Sequence, residues 1–130
     1  MTSAETIKLQ AFSAVFAVRD VARSMAYYAE RLGFREEFRH GEPLNYASVA
    51  RDTVSVHLKL ANPSDAPGRS SIYVFAANVD ALHDELRQRG CDIEVPPTDF
   101  FYGMREMALR DLDGNHITFG HPIPPPAASA

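Results

Sequence analysis

In the run Val54-Ser55-Val56-His57-Leu58-Lys59-Leu60, His57 beside Lys59 has the side chains of a general base with a cationic neighbour, since imidazole exchanges its proton near neutral pH. The same pair suits a plainer task, lining a cleft and hydrogen-bonding a ligand. His116 and His121 are an odd number of residues apart on another strand-like run, so they face opposite ways and make no metal pair. Asp111, Asp113 and Asn115 imitate the start of a calcium loop, but Gly114 is misplaced and no Glu stands at the twelfth position. A hairpin turn is the better reading. Cys91, the single cysteine, follows a glycine with no evident partner and reads as structural. Phe100, Phe101 and Tyr102 are consecutive. Three aromatic rings in a row cannot all bury on one face of a strand, so at least one is expected to reach a cleft or solvent, with core packing an equal alternative for Phe100 or Phe101. No glycine-rich phosphate loop, nucleophile elbow or His-Glu-x-x-His motif occurs, which disfavours phosphoryl transfer and serine hydrolysis.

An internal repeat supplies the frame for these residues. Val18-Arg19-Asp20-Val21 overlays Ala76-Ala77-Asn78-Val79 at an offset of 58. Asp20 and Asn78 are good N-cap types, and Gly33 and Gly90 suit the left-handed conformation that closes a helix. Between them Val21, Met25, Tyr28, Ala29 and Leu32 recur at helical spacing, as do Val79, Leu82 and Leu86. Strands are expected at Phe12 to Val18, Phe34 to Phe38, Asn45 to Arg51 and Val54 to Leu60. The second half repeats them at Ser71 to Phe75, Cys91 to Val95, Met104 to Arg110 and His116 to His121. Pro96 and Pro97 read as punctuation. Arg51-Asp52 and Arg110-Asp111, at an offset of 59, end matching strands before tight turns, and Asp113-Gly114-Asn115 offers positive-φ residues for the second.

Strand parity assigns faces. Val54, Val56, Leu58 and Leu60 should pack on a helix, leaving Ser55, His57 and Lys59 opposite. Ala14, Phe16 and Val18 turn inward and leave Ser13. Ile72 and Val74 leave Ser71, Tyr73 and Phe75, while Ile117 and Phe119 leave His116 and Thr118. The expected fold is α+β: two tandem βαβββ modules, about 11–62 and 70–121, forming mixed curved sheets with helices outside and a concave cleft that is part polar, part aromatic. One domain over 1–121 and a flexible Pro/Ala tail over 122–130 complete the layout.

Composition narrows the function classes. The chain has 130 residues, 45% apolar and 23% charged, with a formal charge of −4, ordinary values for one globular domain. Lys and Arg are scattered singly and the pI is near 5.7, so neither nucleic acid nor a membrane is an expected partner. The polar opening lacks a stretch of signal-peptide length, and with one cysteine the expected location is cytoplasmic.

The run Phe16-Ala17-Val18-Arg19-Asp20-Val21-Ala22-Arg23-Ser24, followed by Tyr27-Tyr28 and Arg31-Leu32-Gly33-Phe34, resembles the opening module of the vicinal oxygen chelate (glyoxalase, bleomycin resistance, dioxygenase) superfamily. The ending Gly103-Met104-Arg105-Glu106, Leu109-Arg110-Asp111 and Asp113-Gly114-Asn115 resembles more narrowly the bleomycin resistance proteins. The match spans about Phe12 to Gly120. Metal-dependent members hold their ion with His, Gln or Glu at positions that fall here on Ser13, His57, Ser71 and Thr118. Only His57 among these ligates well, so the resemblance implies a metal-free, cofactor-free protein that binds a drug without catalysis. The stacking tryptophan of bleomycin resistance proteins falls nearest Tyr102, and its partner aromatic near Phe38. The expected ligand-binding residues are Phe38, Tyr46, His57 and Lys59 from the first module and Tyr73, Phe75, Phe101, Tyr102 and Glu106 from the second. The ligand implied is a planar, cationic, antibiotic-like small molecule held between the subunits of a homodimer. The alternative is a metal-independent isomerase or lyase using His57 as base.

Overall fold

The computed structural model describes residues 4–125. Its elements are β1 (Ala14–Val18), α1 (Val21–Leu32), β2 (Arg35–His40), β3 (Tyr46–Arg51), β4 (Val54–Leu60), β5 (Ser71–Phe75), α2 (Val79–Gln88), β6 (Ile93–Asp99), β7 (Met104–Arg110) and β8 (His116–Pro122), after a single 3-10 turn at Ala4–Ile7. Each module is thus a βαβββ unit. Asp20 accepts from the Arg23 N–H and Asn78 from the Ala81 N–H, so both helices start on the side-chain caps read from the sequence. Gly33, at φ 73, closes α1 in the left-handed conformation, and its N–H donates to the Tyr28 carbonyl.

The strands form two four-stranded sheets, ordered β1-β4-β3-β2 and β5-β8-β7-β6. In each, the first strand pairs parallel with the last, and the remaining pairs are antiparallel. The crossover helix of each module makes that parallel pairing possible. Parity holds along β4, where Val56 and Leu58 are buried, whereas Leu60 at the strand end is exposed. Phe16 and Val18 of β1, Met107 and Leu109 of β7 and Ile117 and Phe119 of β8 join Val21, Tyr28, Leu32, Val79 and Leu86 of the helices in one core spanning both modules.

Three details differ from expectation. β6 continues through Pro96 and Pro97 to Asp99. It lies at a sheet edge and its register against β7 shifts twice, the setting in which a strand tolerates residues without an N–H. The connection after β7 is no simple turn either. Asp111 and Asn115 are buried, the Asp111 carboxylate accepts the N–H groups of Asp113, Gly114 and Asn115, and only Gly114 of this loop has a positive φ. Of the expected tail, Pro122 ends β8 and the Ile123 N–H donates to the Gly103 carbonyl. Its residues 126–130 lie outside the described residues.

Candidate functional site

The face of each sheet turned away from its helix carries the candidate residues. In the first module the register places His40 beside Tyr46 and Tyr46 beside Lys59, with Phe38 beside Ser48 and Ser48 beside His57. Tyr46 and His57 make a 2.8 Å hydrogen bond through the phenol and Nδ1. Lys59 is drawn aside to Asp65, at 3.2 Å. Phe38 stacks on His40 with ring centroids 6.4 Å apart, out on β2. This module therefore offers a hydrogen-bonded Tyr–His pair next to an already paired ammonium.

The second module offers a carboxylate. Tyr73 donates to Glu106 Oε2 at 2.8 Å and Tyr102 donates to Oε1 at 2.7 Å. Glu106 is only 8% exposed, and among the described residues no basic side chain pairs with it. Room for this cluster comes from Gly120, the β8 residue facing Glu106, since a Cβ there would lie 1.9 Å from the Tyr73 hydroxyl. Burial, with the hydrogen bond and charge of Glu106, pushes the Tyr73 phenol up to about 12. The hydrogen bond to the same carboxylate raises Tyr102 as well. Both therefore remain donors at neutral pH.

Aromatic surface surrounds that carboxylate. Phe75 lies 5.2 Å from Tyr73 between ring centroids and is 75% exposed. Phe100 stacks on Tyr102 at 5.5 Å between ring centroids, and Phe101, wholly exposed, makes a T-shaped pair with Tyr102 at 5.1 Å. Neither Phe100 nor Phe101 belongs to the core. The adjacent Arg105 points the other way, to Asp80 at the start of α2 and to Asp99 of β6. His121, whose Nδ1 accepts the Val79 N–H, also lies on the helix side. Sequence reasoning named Glu106, Tyr73 and Tyr102 as ligand-binding residues but missed the hydrogen bonds that join them and the part played by Gly120. The alternation of β7 is readable from the chain, while the pairing of Glu106 with a glycine depends on register.

A metal does not fit the positions that the resemblance implied for one. Ser13 precedes β1, and the first-strand residues actually beside His57 and Thr118 are Val15 and Tyr73. Neither valine nor a phenol committed to Glu106 completes a set with one imidazole. Among the described residues no group of three or more His, Cys, Asp or Glu is arranged to hold an ion.

The fold has clear relatives among solved structures. The antibiotic-binding protein TnmS3 from Streptomyces sp. CB03234 superposes with a TM-score of 0.76 at 24% identity, covering 89% of this chain and 98% of that one. The bleomycin-binding protein of bleomycin-producing Streptomyces verticillus, solved with copper(II)-bleomycin, gives 0.75 at 23% identity, covering 87% and 96%. TioX from Micromonospora sp. ML1 gives 0.76 at 20% identity, covering 88% and 99%. At these identities the likeness shows the fold. A search of curated proteins finds no match. The family model for the Glyoxalase/Bleomycin resistance protein/Dioxygenase superfamily matches residues 10–119, and with nearly all of both βαβββ modules inside that match, the chain belongs to this superfamily.

Proposed function

We propose that the protein is a metal-free binding protein that sequesters a planar, cationic, antibiotic-like molecule without transforming it. One observation carries the reading: a buried carboxylate, Glu106, held by two phenols and lacking a basic partner among the described residues, lies amid exposed aromatic rings. A bound cation would supply the missing counter-charge, and Tyr102 and Phe75 would supply stacking faces. Antibiotic-binding proteins of the same fold support the ligand class.

The cleft is completed, in this reading, by a second copy of the chain. Support comes from the open faces and edges of both sheets. β1 and β5 are edge strands, and Phe12, Val15, Tyr73 and Phe75 are exposed apolar groups on or beside them, a surface that a lone chain leaves to water. The two modules function as one domain in the cytoplasm. No helix among the described residues is long and apolar enough to cross a membrane.

Calorimetric titration with metal-free bleomycin, followed by mass spectrometry of the recovered ligand, tests the proposal. Saturable binding with ligand returned unchanged is expected. No binding below millimolar concentration defeats the reading for this ligand class. Turnover lost in His57→Ala establishes the isomerase or lyase alternative.

A further inference from the structure

The two modules are not equally well joined, and the difference leaves a cavity between them that touches the aromatic face at Phe75. In the second module five residues, Asp111–Asn115, connect β7 to β8 and reach α1. There Ser24 donates to Asp113 and Tyr28 to Asp111. In the first module only Asp52 and Thr53 connect β3 to β4. At the repeat offset of 58, Leu82 and Leu86 of α2 replace Ser24 and Tyr28, so the helix facing this short turn offers it no side-chain hydrogen bond. The space is not closed by packing either. A cavity of about 350 Å³ remains, with an apolar side that includes Leu32, Val54, Leu82, Leu86 and Phe119 and a polar side made by Arg51, Asp52, Thr53, Asn78 and Glu85.

Arg51, lining this cavity, donates through both terminal guanidinium nitrogens to Glu85, at 2.9 and 2.7 Å, and to the Leu32 carbonyl at 3.0 Å. Its charge is therefore spent within the protein, the remaining lining carboxylate, Asp52, interacts with the same guanidinium, and the lining presents no unpaired cation to attract an anion. We infer that this inter-module cavity is a second ligand site, taking a compact, uncharged molecule with an aromatic or short aliphatic body. The volume corresponds to about twelve water-sized groups at ~30 Å³ each and sits near the lower end of small-molecule pockets, roughly 300–1,000 Å³. One ring or a fused pair fits, and a large antibiotic does not. The site goes beyond the proposed function and depends on neither Tyr102 nor Glu106.

Indole serves as the probe, titrated into the isotopically labelled full chain and followed by NMR. Saturable shifts at Val54, Leu82 and Leu86, with an unchanged indole affinity in Tyr102→Ala, are expected. Ala81 is exposed and lines the cavity, so Ala81→Trp should fill it and weaken indole at least tenfold. Leu82→Phe is the second filling variant should Ala81→Trp not fold. The proposal is overturned by absence of saturation in the millimolar range, by shifts confined to Tyr73 and Tyr102, or by undiminished binding in a folded filling variant. Binding that appears only after residues 126–130 are removed also overturns it, because the chain's own end would then be the occupant.

Discussion

The phenol of Tyr28 donates a 2.6 Å hydrogen bond to the carboxylate of Asp111, 83 residues further along the chain, and both groups are buried. This bond ties the first helix to the second module's β7–β8 connection. Asp111 in turn orders that connection through three backbone N–H groups and the Asn115 amide. Burial first, then the charge of Asp111, holds the Tyr28 phenol well above its ordinary pKa, so it stays a donor throughout the working pH range.

Tyr28→Phe keeps the ring and removes the donor, leaving Asp111 Oδ2 with Asn115 alone. A buried acceptor stripped of a partner costs about 1–3 kcal/mol. Urea unfolding should show that loss as a lower midpoint with an unchanged slope. A change within about 0.5 kcal/mol, the size of an ordinary surface substitution, would mean that the bond does not join the modules.

Glu85 links the modules on the other side, through Arg51, and also pairs with Arg89. The hydrogen bond from Arg51 holds its carboxyl below the ordinary range. The associated stability is therefore complete above the unfolded carboxylate pKa and is lost as pH falls through the lower, folded value. Because both partners are about one-third exposed, solvent screening limits the contribution to about 1 kcal/mol or less. Glu85→Gln should flatten the acid limb of a stability–pH curve by that amount. An unaltered acid limb would show that the pair contributes nothing.

Gly120→Ala places a methyl group where the Tyr73 hydroxyl lies, and should force the phenol off Glu106. The Tyr73 pKa, raised to about 12 by burial together with Glu106, should fall toward the ordinary value near 10. Glu106→Gln should lower it also, by removing the charge. In the native protein the stability linked to this phenol is complete below about 10 and disappears as pH rises through about 12. An NMR titration of the Tyr73 ring reads these shifts, and a pKa still near 12 in both variants would contradict the cluster.

Much of this arrangement is legible in the chain because it rests on local rules. Asp20, Asn78 and Gly33 mark helix ends whatever surrounds them, and the alternation of β4 turns His57 and Lys59 to the face opposite the core. Relations between distant segments are not legible. The partnership of Tyr28 with Asp111 depends on how two modules pack, and the burial of Glu106 depends on the glycine beside it in β8. Pro96 and Pro97 look like a strand's end because the sequence does not reveal that β6 occupies an edge. Phe101 could equally have been core by composition, yet its ring is fully exposed.

The proposed joint hold of Glu106 and Tyr102 on a planar cation is read by calorimetry on the wild type, Tyr102→Ala, Glu106→Gln and the double variant with metal-free bleomycin. Loss of the stacking face, about 0.5–1.5 kcal/mol, should weaken binding by up to roughly tenfold, since about 1.4 kcal/mol is one decade. Loss of the charged acceptor, about 1.5–3 kcal/mol, should weaken it by roughly ten- to a hundredfold. The double variant should lose less than the sum, because Tyr102 and Glu106 share a hydrogen bond. Wild-type affinity retained in both single variants would show that neither group holds the ligand.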